Sequence, residues 1–381
     1  MPTVADCLRQ HAPEYLLQFG DSVPVGHRRV LGLIQRCRTG ELGAFVYACE
    51  SCGTRHYLGR SCGNRHCPNC QHDKTQRWLT KQTERLIPAN YFLVTFTVPR
   101  QVAMVLRDHQ RDGYDALFEA SSQAMMEVAS ATKALQDAQL GFFGVLHTWG
   151  RDPLVYHPHI HYIVASGGVS HDKERWIASP ENFFVHHATL VRVFKAKLAD
   201  KLRELGLYDQ VSEDAWGSKW VVDLKPVGDG QATLKYLAPY VYRVAISNNR
   251  IEYCDEEEVV YRYTPSGTSS SKRRRVTGRE FVAGFLQHVL PPGFQKIRYY
   301  GWMSPNSRIS LDLVRWLVWI YRGWTYWLGS GHAPRDIPKP RPNVACPCCR
   351  SEMKRIKVTY KDCSFLVTRS EQQRQAFQDT G

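Results

Sequence analysis

Two Cys-x-x-Cys pairs, Cys49-Glu50-Ser51-Cys52 and Cys67-Pro68-Asn69-Cys70, constrain this chain more than any other feature, with 14 residues between Cys52 and Cys67. A pair at this spacing sits on a tight knuckle and offers two thiolates, and two knuckles complete a tetrahedron around zinc with no position left for water. Such a closed site supports a fold and does no chemistry. Cys62 and His66 lie between the knuckles and offer a substitute for one ligand, so the site is firmer than its exact membership. Chance placement of 12 cysteines gives fewer than one Cys-x-x-Cys pair, and the chain has three. The third, in Cys346-Pro347-Cys348-Cys349, is a single knuckle with only Cys363 downstream, either a thiol-rich turn or half of a ligand set completed from elsewhere.

Reading cysteines as ligands requires a reducing compartment. The first twenty residues carry no apolar core of a signal peptide, and no run approaches the ~20 apolar residues of a membrane span. The longest candidate, Leu313 to Leu328, is broken by Arg315, Arg322 and Gly323. A cytoplasmic protein without membrane contact is therefore expected. Lys and Arg outnumber Asp and Glu by 50 to 36, for a net charge of +14 and a pI near 9.2, which favours a polyanionic partner. Arg60, Arg65 and His66 place positive charge around the knuckles, where it suits phosphates.

The rest of the chain reads as α+β. Helical spacing runs through residues 1 to about 45, and a polar helix from Asp73 to Leu86 follows the knuckles. YFLVTFTVP from Tyr91 is a strand closed by Pro99, and a long helix from about Val102 to Leu135 comes next. GFFGVLHTWG and HPHIHYIVASGG form a hairpin joined at Arg151-Asp152-Pro153; a helix over Pro180 to Leu205, a strand from Lys219 and a helix from about Gly230 complete the unit. That order predicts an antiparallel sheet flanked by helices, with the hairpin central. Charged strands beyond Asn249, a Ser/Gly/basic loop over PSGTSSSKRRR, helices over Arg279–Val289 and Leu311–Leu328, and a Pro-rich linker follow. Four segments result: 1–88 with the cysteine module, 89–250 as the core, 251–340 as mixed strands and helices supporting DNA binding, and 341–381 with the last knuckle and a polar tail.

Within the core, His159 and His161 stand at i and i+2 of a strand and share a face, with Ile160 turned to the opposite side. Two imidazoles so placed suit a divalent ion when a third group joins them. Tyr236 and Tyr240 stand at i and i+4 of the following helix. A phenol with a pKa near ~10 needs a nearby cation or base to attack at neutral pH, and Lys235 and Arg243 are at hand. Phosphoryl transfer to tyrosine keeps the energy of the phosphodiester bond, so strands can be rejoined without ATP. Pro239, between the two tyrosines, disfavours an ideal helix there. In Lys296-Ile297-Arg298-Tyr299-Tyr300-Gly301-Trp302, cations interleave with rings, as in a single-strand groove or in a buried strand with snorkelling ends.

Taken in order, these motifs resemble the two-tyrosine HUH transposases of the insertion-sequence-ninety-one-like family. SCGNRHCPNCQ is similar to that family's zinc-binding domain, VLHTWGRDPLVYHPHIHYIV to its metal hairpin, YLAPYVYRVAISNNRI to its tyrosine helix, and GFQKIRYYGW and CPCC to its C-terminal pattern. The resemblance implies an HUH nuclease core that moves a mobile element by a rolling-circle route, acting on single-stranded element ends and target DNA in the bacterial nucleoid. His159 and His161 would hold Mg²⁺ or Mn²⁺, Tyr240 or Tyr236 would attack the scissile phosphate to leave a 5′-phosphotyrosine, and the other tyrosine would serve the second cleavage. His147 leads as third ligand, with Asp152 and His157 behind it. The same chemistry serves plasmid relaxases and replication initiators, and a non-catalytic zinc-ribbon regulator would also carry the cysteines.

Overall fold

The computed structural model describes residues 1–241, 246–265, 267–323 and 344–378. The chain forms two units, one gathering the described residues of 1–74, 242–289 and 336–381, the other those of 75–241 and 290–335. These divisions differ from the sequence boundaries at 88, 250 and 340. The segment 251–340 is split between the units, and 341–381 returns to the unit of the N-terminal cysteines, because its strand pairs with a strand near residue 45.

The first unit begins with α1 (Val4–Phe19) and α2 (Val25–Gln35). Thr3 starts α1 with a capping box, its hydroxyl accepting from the Asp6 N–H while the Asp6 carboxylate accepts from the Thr3 N–H at 2.8 Å. A three-stranded sheet follows from β1 (Ala44–Cys49) and β2 (Arg55–Gly59), completed by β12 (Met353–Thr359) on the far side of β1. A second sheet, in the order β10-β9-β8, comprises β8 (Ile251–Cys254), β9 (Glu258–Tyr263) and β10 (Lys272–Thr277), and leads into α9 (Gly278–Leu286). Here the expected basic loop is corrected: Lys272 to Arg275 are in strand. Pairing with β9 sets Arg273 on Glu252 at 2.6 Å and Arg275 on Glu258 at 3.2 Å, which offsets the repulsion of the basic run. A glycine is required at 278, since a Cβ there would lie 1.9 Å from the ring of buried His11 where α1 packs on α9. α11 (Ser364–Gln378) packs on β2.

The second unit takes most of α3 (His72–Arg85) and is built on a sheet ordered β11-β4-β5-β3-β7, with β6 paired to β5. Its strands are β3 (Tyr91–Thr97), β4 (Ala138–Trp149), β5 (Tyr156–Ser170), β6 (Trp176–Ala178), β7 (Val221–Pro226) and β11 (Ile297–Gly301), every pair antiparallel. The single long helix expected after β3 is two, α4 (Arg100–Asp108) and α5 (Gln110–Ser130). The chain leaves helical geometry at His109, and Gly113 lets α4 fold back closely, because a Cβ there would meet the Leu106 backbone at 2.9 Å. α6 (His187–Glu204), the short α7 (Glu213–Gly217), α8 (Gln231–Val241) and α10 (Leu311–Arg322) complete the unit.

One face of this sheet makes the core. Phe92, Val94 and Phe96 of β3 and Ile160, Tyr162 and Val164 of β5 are buried with Leu117 and Ala120 of α5 and Phe194 and Leu198 of α6. At ~1.5–3 kcal/mol per fully buried large side chain, this layer fixes the register of β3, β4 and β5. The Tyr162 hydroxyl is kept inside by Ser121 at 2.8 Å. Because strand side chains alternate, residues between these positions project from the other face, and the histidines are among them.

Candidate metal centres

His161 and His159 flank Ile160, whose side chain is locked into the core, so both imidazoles stand on the opposite face of β5. β4 pairs with β5 so that His147 is directly across from His159. One ring nitrogen of each of the three histidines lies within 4.8 Å of the others, and the Nε2 atoms of His159 and His161 are 3.1 Å apart. Cis ligands of an octahedral ion with ~2.1 Å bonds stand about 3.0 Å apart, so the cluster fits a small divalent cation. His147 and His159 are buried, and His161 is partly exposed.

The surrounding groups orient these rings. The Nδ1 of His159 lies 2.9 Å from the His157 carbonyl, to which it can only donate, and this leaves the His159 Nε2 as a lone pair facing the cluster. The Nδ1 of His161 is 2.8 Å from the Thr95 hydroxyl on β3, which stands opposite it in register. His147 stacks on Trp149 at 5.1 Å, and the Lys296 ammonium lies 4.7 Å from the centre of the Trp149 ring. Burial first, then repulsion among the rings and from Lys296, holds His147 and His159 well below the usual imidazole range. Burial lowers His161 to about 4, against the pull of Asp223. The three are neutral at physiological pH and have lone pairs to give a metal. Of the other third-ligand candidates, His157 orients His159 through its carbonyl, and Asp152 caps a turn by accepting from the Leu154 N–H at 3.1 Å.

On α8, buried Thr233, Leu234, Leu237, Ala238 and Val241 form the inner stripe, so Tyr236 stands on the outer side, 58% exposed, with Lys235 also exposed. Tyr240 belongs to the same helix, but its side chain and that of Pro239 lie outside the described residues, as does all of Arg243. KIRYYGW supplies the edge strand β11 rather than an open groove: Tyr300 stacks on Phe142 at 4.9 Å and Trp302 is buried. Arg298, read from sequence as a DNA contact, is ion-paired to Asp115 with its guanidinium 4.4 Å over Phe118. Of the two cations in that motif, Lys296 is the one beside the histidines.

The cysteines gather in two sets, neither of them the set expected from spacing. Cys67 and Cys70 join Cys37 and Cys62; Cys49 and Cys52 join Cys346 and Cys349. The expected site at Cys49, Cys52, Cys67 and Cys70 is corrected accordingly. Each knuckle meets a different partner, because β1 and β2 carry the first pair to the sheet end where β12 begins, while the second pair turns back beneath α2. Cys37, at the end of α2, carries no local motif and was invisible in the sequence; the unpaired Cys62 was the one sign that another thiol was needed. Sulfur separations of 3.4 Å for Cys49–Cys349, 3.5 Å for Cys52–Cys346 and 3.7 Å for Cys62–Cys70 lie near the ~3.8 Å edge of a tetrahedral zinc–thiolate site. All 12 cysteines are free. His66 turns to Asn64, and Arg60 is held between the Leu42 carbonyl at 3.0 Å and the Tyr360 ring at 4.1 Å; the Arg65 guanidinium is half-buried, which lowers its pKa.

Two family models match this chain. A family described as putative transposase matches residues 141–310, spanning the histidines and the tyrosine helix, and a transposase zinc-binding domain matches residues 7–98. A putative transposase, y4qJ, of Sinorhizobium fredii is 35% identical over 327 residues, 81% of each chain. The transposase for insertion sequence element IS801 of Pseudomonas savastanoi pv. phaseolicola is 27% identical over 285 residues, 70% of this chain and 68% of that one. No solved structure matches. Among the described residues, no helix is long and apolar enough to cross a membrane. The chain belongs to the IS91 family of transposases and carries the family's N-terminal zinc-binding domain.

Proposed function

We propose that this transposase cuts and rejoins single-stranded DNA at the ends of a rolling-circle element through a 5′-phosphotyrosine, with His147, His159 and His161 holding Mg²⁺ or Mn²⁺. The observation that carries this reading is the convergence of three neutral imidazoles on adjoining strands of the sheet, in a chain of transposase family. An ion bound there polarises the scissile phosphate and offsets its developing charge.

The chain's own residues do the rest. The phenol oxygen of Tyr236 or Tyr240 bonds to phosphorus as its proton passes to solvent or a neighbouring base; the P–O3′ bond breaks, and the 3′ oxygen leaves as a hydroxyl on taking up a proton. Attack of another 3′-hydroxyl on the phosphotyrosine reverses the step and joins the new strand, releasing the phenol. Lys296 supplies positive charge beside the histidines, and exposed Lys235 on α8 meets backbone phosphates near Tyr236. The outward position of Tyr236 supports its role, since a nucleophile for a polymer must be reachable.

The test is an oligonucleotide carrying an element end, labelled at its 3′ terminus, with Mg²⁺ or Mn²⁺. Label is expected to become covalently attached to protein, and to stay free with the Tyr236→Phe/Tyr240→Phe variant. Adduct formation unchanged in that variant sinks the tyrosine mechanism; cutting at a plasmid origin in preference to element ends would favour an initiator instead.

A further inference from the structure

We propose that the chain binds two zinc ions, and that the second, at Cys49, Cys52, Cys346 and Cys349, is a clasp fastening β12 and α11 to the N-terminal module. Half of its ligands lie some 300 residues from the other half and outside residues 7–98, the extent of the zinc-binding domain match.

The two halves are built alike. The Cys49 N–H donates to the Thr54 carbonyl at 2.9 Å, and the Cys346 N–H donates to the Ser351 carbonyl at 2.8 Å. The Gly53 N–H returns to the Cys49 carbonyl at 2.9 Å, and the Arg350 N–H returns to the Cys346 carbonyl at 3.1 Å. The residue after the second cysteine is left-handed in both, Gly53 at φ 71° and Arg350 at φ 64°. An arginine held in that conformation marks a turn imposed by its surroundings. Two copies of one knuckle face each other, and their four sulfurs converge at 3.4–3.6 Å across the pair. Cys348, although within the motif, is outside the set.

What the ion fastens is equally visible. β12 pairs with β1 along Ala44–Cys49, and without it the sheet is a two-stranded β1–β2 hairpin, marginal in water. α11 follows β12, and its Ser370 hydroxyl accepts from the Tyr57 N–H at 3.1 Å. The Lys354–Glu50 pair across the strands is exposed and adds little. The two sites also differ in access. Cys52 and Cys349 are exposed, whereas Cys37 and Cys67 are buried and Cys62 and Cys70 partly so, which makes the clasp ion the first to leave under a chelator.

The test is zinc per chain by elemental mass spectrometry on the full-length protein, with hydrogen exchange. Wild type is expected to hold two ions, and Cys346→Ser/Cys349→Ser and Cys49→Ser/Cys52→Ser one each, with faster exchange over residues 44–49 and 353–359. Cys348→Ser keeps two. If the double variants fail to fold, wild type under a mild chelator is expected to release one equivalent quickly and a second slowly. A single ion in wild type, an unchanged count in Cys346→Ser/Cys349→Ser, or equal loss in Cys348→Ser overturns the clasp. None of these outcomes depends on strand cutting, so this proposal and the tyrosine mechanism fail separately.

Discussion

The histidine cluster and the cysteine clusters are three groups of metal-ligating side chains with opposite geometry. Four thiols in each cysteine set complete a tetrahedron and leave nothing for a substrate, while three imidazoles on a sheet face leave coordination positions open. Their supports differ as well. The histidines are aimed by neighbours on the strands of the sheet, His157 through its carbonyl and Thr95 through its hydroxyl. The cysteines sit on turns and at the ends of elements, where a structural zinc would contribute folding energy. Ion loss should therefore damage activity at the histidines and folding at the cysteines.

The largest expected effect tests that contrast at the inner thiol site. Cys62→Ser/Cys67→Ser should remove one zinc, and since structural zinc contributes ~10 kcal/mol or more to folding of such modules, thermal unfolding should lose the transition of the first unit while that of the second persists. A native first-unit transition in the zinc-depleted variant would break the comparison. Next, His161→Ala should lower DNA cleavage by about a thousandfold, or ~4 kcal/mol of barrier, with zinc content unchanged. Loss of zinc in this variant would mean the centres are not separate. Thr95→Val sharpens the point: it preserves shape but removes the group facing His161 Nδ1, so divalent-ion affinity measured by calorimetry should fall ten- to a hundredfold. The smallest effect is in the knuckles. Arg350→Gly should raise the unfolding midpoint by relieving a left-handed arginine, a gain on the order of 0.5–1 kcal/mol, whereas Gly53→Ala at the equivalent turn should cost about as much.

Much of the histidine centre was legible because a strand has a period of two. His159-Ile160-His161 announces a shared face, and the apolar residues around it say which face is core. His147 could be named only as a candidate, since the register of β4 against β5 decides whether it reaches His159. Thr95 carries no motif and is placed against His161 only by the register of β3 with β5. The aromatic-basic segment left two readings open, because stacking on DNA and packing in a sheet edge use the same residue types; Asp115, distant in sequence, decides the place of Arg298. The helix break at His109 depends on a backbone approach at Gly113 that no local propensity encodes.

That thiolate knuckles exist, that a pair of histidines shares a strand face, and that the tyrosines follow on a helix can all be read from spacing along one local element. Which knuckle meets which is a matter of the tertiary fold. A knuckle supplies two ligands and is indifferent to the source of the other two, and closing a loop of nearly 300 residues instead of about 15 costs roughly 3 kcal/mol more in chain entropy. That is small beside the ~10 kcal/mol of a completed zinc site, so sequence proximity does not choose the partner. The pairing of β1 with β12 does, and it assigns Cys49/Cys52 and Cys67/Cys70 to two different sites.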